Sequence, residues 1–115
     1  MILRCEKGDD LVIQTTPIDV DTRQPIDVSD ISLCWASITT SDYDTEVWTG
    51  AVGSGVEIDS ENGYLTITVR GAFTQNFSSR LYLFVKVKLN DGYLTHIVSK
   101  QRIDFHNTPL SDDLA

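Results

Sequence analysis

His96 and His106 are the only imidazoles in the sequence, and imidazole is the side chain best suited to proton transfer near neutral pH. A hydrolytic centre would need one of them beside a nucleophile, with an acid to orient the ring. His96 lies in an alternating run, Thr95-His-Ile-Val-Ser99, and His106 follows the last apolar stretch. No Gly-x-Ser-x-Gly segment or catalytic cysteine context accompanies either one. They read as strand and tail histidines. The chain is expected to act without catalysis, and no catalytic residue is assigned.

Other residue types with chemical potential fare no better. Asp19, Asp21 and Asp27 cluster in Ile18-Asp-Val-Asp-Thr-Arg-Gln-Pro-Ile-Asp27. Calcium needs several oxygens converging on one point. The EF-hand spacing is absent, and Arg23 sits where a third ligand would be needed, so a solvated loop is expected. Gly50-Ala-Val-Gly-Ser-Gly55 lacks the Lys that a phosphate-binding loop requires, and a strand, Val56-Glu-Ile-Asp59, follows it instead of a helix. A flexible turn is the expected form. Cys5 and Cys34 belong to no C-x-x-C motif, so neither a zinc site nor a redox centre has a scaffold. Both sit in apolar stretches, where a thiol acts as a small buried hydrophobe. The sequence leaves open whether they are joined. No cofactor and no metal are expected.

Charge narrows the partners. Nine Lys and Arg stand against 17 Asp and Glu, a formal charge of −8. Such a chain is repelled by phosphate backbones, and no basic stripe offsets that, which argues against nucleic acid. The N-terminal residues carry no signal-like apolar run and no stretch approaches membrane-spanning length. The expected compartment is the cytoplasm of the producing cell, where thiols stay reduced.

The elements follow a period of two. In Leu81-Tyr-Leu-Phe-Val-Lys-Val-Lys-Leu89 the odd positions are aliphatic, and in Tyr64-Leu-Thr-Ile-Thr-Val-Arg70 the inward set is Leu65, Ile67 and Val69. Residues 31–38 suit a central strand buried on both faces, with Trp35 in the core. Residues 11–15, 46–49 and 56–58 are shorter strands, and 95–105 form a last strand bulged around 100–102. Asn62-Gly63 is expected to be a two-residue hairpin turn, and Asn90-Asp91-Gly92 marks another hairpin. With no helix pattern, the chain is expected to fold as one all-β domain over residues 1–105. The expected form is an immunoglobulin-like antiparallel β-sandwich of about seven strands, followed by a tail over 106–115.

Aromatic residues supply the remaining candidates. Phe73 and Phe77 join Trp35, Trp48 and Tyr43 as a potential platform. Tyr43 and Trp48 fall in the irregular segment 39–55 and are the expected exposed contacts. Pro109 and Leu110 in the tail are expected to strap onto a partner. These four residues are the partner-binding candidates.

The order of turns and strands also resembles a known family. Lys7-Gly8-Asp9-Asp10 opens the chain and Gln24-Pro25-Ile26-Asp27-Val28 forms a turn. Then come Trp48 with its Gly-rich segment, Asn62-Gly63 with Leu65-Thr-Ile-Thr-Val69, and a Tyr82-bearing strand closed by Asn90-Asp91-Gly92. This resembles the small immunoglobulin-like domains of tailed-bacteriophage structural proteins, such as the N-terminal domain of upper baseplate proteins from phages of Gram-positive bacteria. The chain departs from that pattern at Ser79-Arg80-Leu81-Tyr82 and at Ser99-Lys-Gln-Arg102, where the family carries glycine. The resemblance implies a virion adaptor of the tail, baseplate or head–tail joint. It also implies a homo-oligomer with other virion proteins as partners, assembled in the host cytoplasm without membrane or nucleic-acid contact. The alternative is a carbohydrate- or protein-binding sandwich module of a cell-surface or secreted protein.

Overall fold

The computed structural model describes residues 2–107. The chain is all-β, with β1 (Leu3–Glu6), β2 (Leu11–Thr15), β3 (Ile31–Thr39), β4 (Glu46–Val52), β5 (Gly55–Asp59), β6 (Tyr64–Val69), β7 (Arg80–Leu89) and β8 (Leu94–His106). A single helical turn, α1 (Gly71–Thr74), links β6 to β7, and a short 3-10 turn at Val28–Asp30 precedes β3. The period-two runs bury the side that alternation assigns them. Leu65, Ile67 and Val69 of β6 meet Leu81, Leu83, Val85 and Val87 of β7 in one core, with Cys34, Ala36 and Ile38 of β3.

The strands number eight among the described residues, against about seven expected, and hydrogen bonding links them in one ladder, β1-β8-β7-β3-β4-β5-β6-β2. Two pairings are parallel, β1 with β8 and β4 with β5; the rest are antiparallel. The β4–β5 contact spans only Ala51↔Gly55 and Val52↔Val56, so one tight glycine-bearing corner carries the ladder from one half to the other. The two ends of the ladder, β1 and β2, are consecutive in the chain and separated by residues 7–10 alone. That short turn curls the sheet into a nearly closed barrel. β1 escapes detection in the sequence because it is four residues long and its parallel partner lies about a hundred positions away.

The acidic turn at residues 7–10 is a structural clamp. The Gly71 N–H donates to Asp10 Oδ1 at 2.7 Å, the Gly8 N–H donates to Thr74 Oγ1 at 3.0 Å, and the Thr74 hydroxyl donates to the Asp9 carbonyl at 2.7 Å. α1 is thereby fastened to the β1–β2 turn. Gly71 is obligatory there, since a Cβ would lie 2.0 Å from the Gly8 carbonyl oxygen.

The hairpins correct one expectation. Asp59 pairs with Tyr64, so the β5–β6 loop has four residues and not two. Gly63 does adopt a positive φ of 76°, but Asn62 does not. The organiser is Asp59, whose Oδ1 accepts the Glu61 and Asn62 N–H groups, each at 3.1 Å, while the Asn62 side-chain amide donates to Oδ2. These bonds hold the Asp59 carboxyl below its ordinary range, the Asn62 side chain contributing most. In β8 the expected bulge is present. Leu83 pairs with Gln101 and Val85 with Val98, leaving one extra residue in β8, and Lys100 carries a φ of 55°.

Candidate functional site

The expected site residues separate. Tyr43 is exposed at 44%, as expected, but Trp48 is buried at 9%. The correction has a clear cause. The Trp48 indole lies against the Gly-rich segment, where a Cβ on Gly50 or Gly55 would come within 2.6 Å and 2.8 Å of its ring carbons. Gly50 and Gly55 are therefore explained by the volume of one indole, while Gly53 serves the turn through its positive φ of 87°. Trp35, expected in the core, is instead 40% exposed. Cys34, Ala36 and Ile38 take the inward phase of β3, and Trp35 must point the other way. β3 is thus buried on one face only. Pro109 and Leu110 lie outside the described residues.

What Trp35 points into was not visible from the sequence. Strand register places Trp35 beside Lys86, and Lys86 beside His96; one step along, Ser37 pairs with Phe84, and next Thr39 pairs with Tyr82. These side chains share the outward face of β4-β3-β7-β8. The 40–45 loop folds back over this face. The Tyr43 ring meets Tyr82 edge-on with centroids 5.2 Å apart and Phe84 at 5.8 Å, and Phe84 in turn meets His96 at 6.2 Å. Lys100 Nζ lies 5.1 Å from the Tyr43 ring centroid, within cation–π range. Tyr43, Phe84, His96 and Lys100 line a groove of about 630 Å³ with Trp35, Asp44 and Glu46 at its sides.

Local backbone geometry is committed to this arrangement. Tyr43 and Lys100, which meet across the groove, are two of the three non-glycine residues with positive φ among the described residues. A bulky residue held in that region costs about 1 kcal/mol or more, and such strain gathers where surrounding structure enforces it. The loop enforces it at Tyr43. Its N–H donates to the Thr40 carbonyl at 2.9 Å, and Asp42 accepts both the Thr40 hydroxyl and, at 3.0 Å, the Asp44 N–H. The Thr40 hydroxyl, then the Asp44 N–H, hold the Asp42 carboxyl below its ordinary range.

The remaining candidates are structural. Asp19 is buried, and its Oδ1 accepts the Thr95 hydroxyl and the Asp21 N–H, both at 2.8 Å. Burial pushes its carboxyl upward, but the bonds from Thr95, the Asp21 and Thr22 N–H groups and Tyr93 outweigh this and leave it below the ordinary range. Asp27 caps the 3-10 turn, accepting the Ser29 N–H at 3.0 Å and the Ser29 hydroxyl at 2.8 Å. Among the described residues, no group of three or more His, Cys, Asp or Glu could hold a metal ion. Cys5 and Cys34 are free thiols, and burial raises Cys34 to about 11. His106 Nε2 lies 4.0 Å from Glu6 Oε1 at the far end of β8. No helix among the described residues is long and apolar enough to cross a membrane.

No protein-family model matches the chain, and no curated protein matches it.

Proposed function

We propose that this chain is a structural or adaptor domain of a phage virion, acting by protein–protein contact rather than catalysis. Its binding surface is the outward face of β3, β7 and β8. One observation carries the reading: a sheet face turned to solvent ordinarily bears polar side chains, yet this one bears Trp35, Phe84, Tyr82 and the folded-back Tyr43. Rigid aromatic side chains on a pre-formed face are the usual anchors of protein interfaces. The immunoglobulin-like reading draws support from strand order. The neighbours β8-β7-β3 and β5-β6-β2 follow the order of the G-F-C and D-E-B strands of that fold. In this reading the chain works as a symmetric homo-oligomer among other virion proteins, assembled in the host cytoplasm.

Mass spectrometry of purified particles tests the proposal, with Trp35→Ala in the matching gene as the functional arm. The chain should be present at a fixed stoichiometry in the parent particles and depleted in the variant. Its absence from parent particles would overturn the virion assignment.

A second reading, a carbohydrate-binding module, is favoured by the carboxylates of Asp44 and Glu46 beside aromatic rings in the same groove. Binding on a glycan array that is lost with Trp35→Ala would support it over the first.

A further inference from the structure

We infer that the outward β3-β7-β8 face pairs with the same face of a second copy about a twofold axis, with Trp35 of each copy seated on Phe84 of the other. This inference rests on the assembly reading above and names the partner for its surface. The surface is self-complementary in the order of its aromatic and charged rows. Register orders it in rows: Leu33–Lys88–Leu94, then Trp35–Lys86–His96, then Ser37–Phe84, then Thr39–Tyr82 with Glu46 at the β4 side. A twofold axis passing between the second and third rows, and between β3 and β7, sends each position to its diagonal opposite. Trp35 then meets Phe84 at the edge of the Tyr43 ring, and Leu33 meets the Tyr43 ring that covers Tyr82. Lys88 falls over the buried Thr39, beside the exposed Glu46.

Charge makes the same pairing. Three of the four lysines in a chain of net charge −8 lie on this one face, Lys86, Lys88 and Lys100. Lys86 and Lys88 lie toward one end of it; the acids Asp44 and Glu46 lie toward the other, where Lys100 also sits beside Tyr43. Six residues of β3 separate the Lys88 row from the Glu46 row, about 20 Å at strand rise. That is too far for an ion pair within one copy, and none of Lys86, Lys88, Asp44 and Glu46 joins an ion pair within the described residues. Lys86 and Lys88 are unpaired in the single chain, and the Asp44–Glu46 end of a second chain supplies them with carboxylates. A uniformly acidic surface would keep two copies apart, whereas this face offers a route past that repulsion.

Sedimentation equilibrium of the full chain tests the pairing, with Trp35→Ala, Lys88→Glu, Glu46→Lys and the Lys88→Glu/Glu46→Lys double variant. Folding of each is checked by circular dichroism, and Leu33→Ser replaces Trp35→Ala if the latter does not fold. The parent should dimerise, Trp35→Ala should weaken the dimer by about tenfold or more, each charge reversal should weaken it less, and the double variant should recover most of the loss. A monomeric parent, a dimer indifferent to Trp35→Ala and Leu33→Ser, or a double variant no tighter than the single ones would each overturn the pairing. The virion reading has a separate readout: a monomeric chain found in purified particles overturns the pairing alone, and a dimer absent from them overturns the virion reading alone.

Discussion

The two halves of the barrel turn different faces to solvent. Outside β5, β6 and β2 the row reads Glu57, Thr66, Thr68 and Gln14, short or flexible polar groups, with Val12 and, at the hairpin end of β6, Tyr64 as its exposed apolar side chains. Outside β3, β7 and β8 it reads Trp35, Phe84, Tyr82 and His96, with Tyr43 laid over them. Both halves bury equivalent aliphatic faces in the same core, so the fold does not require the aromatic row. An exposed aromatic row, held by a loop with a strained residue at its tip, is the surface the proposed partner contact uses.

Substitutions on the inner and outer positions of one strand sharpen this comparison most. Leu83 is fully buried, and Leu83→Ala should cost about 3 kcal/mol in urea unfolding, from lost burial and the cavity left behind. Gly71→Ala should be comparable, about 2–3 kcal/mol, because the added methyl must displace the Gly8 backbone. Phe84→Ala, the next position outward from Leu83, should cost about 1 kcal/mol or less in stability, since its ring is only partly buried, while weakening assembly. Equal stability losses at 83 and 84 would show that the outer row is a second core and not an interface.

Smaller effects probe the turns. Gly63→Val should cost about 1 kcal/mol, because a β-branched residue is strained at φ of 76°. Asp19 gives an acid-side signature. Its folded-state carboxyl titrates below the ordinary Asp value, so its contribution is complete above about pH 4 and is lost as pH falls through the lowered folded value. Asp19→Asn should flatten that acid limb of the melting-temperature profile. Thr68→Lys, on the polar outer face, should leave both stability and assembly unchanged.

How much of this was legible in the sequence varies by residue. Alternation along 64–69 and 81–89 identified the inward side chains because both strands are long and regular. Lys100 stood out through the polar break between two apolar runs. Local sequence points Trp35 and Trp48 to the opposite environments from those they occupy. A large apolar ring weighs toward the core in any local reading, and only the phase of Cys34, Ala36 and Ile38 overrides it at position 35. Trp48 needed knowledge that Gly50 and Gly55 clear space for its ring. The candidate site drew Tyr43 from the sequence but missed Trp35, Phe84 and His96 as a group. They come from three strands, with Trp35 and His96 61 positions apart, and pairing register alone aligns them. The role of Asp59 is hidden in the sequence because the Asn-Gly beside it carries the stronger turn signal.

Because the two tryptophans point to opposite sides of the sheet, each can report on its own face. In Trp48→Phe, Trp35 is the only indole; in Trp35→Phe, Trp48 is. Acrylamide quenching of each variant, measured from dilute to concentrated protein, asks directly whether the outer aromatic row becomes covered. The expected result is that Trp35 emission shifts to the blue and loses its quenching as copies associate, while Trp48 stays shielded throughout. Association that leaves Trp35 as quenchable as in the dilute chain would place the interface elsewhere and contradict the assignment.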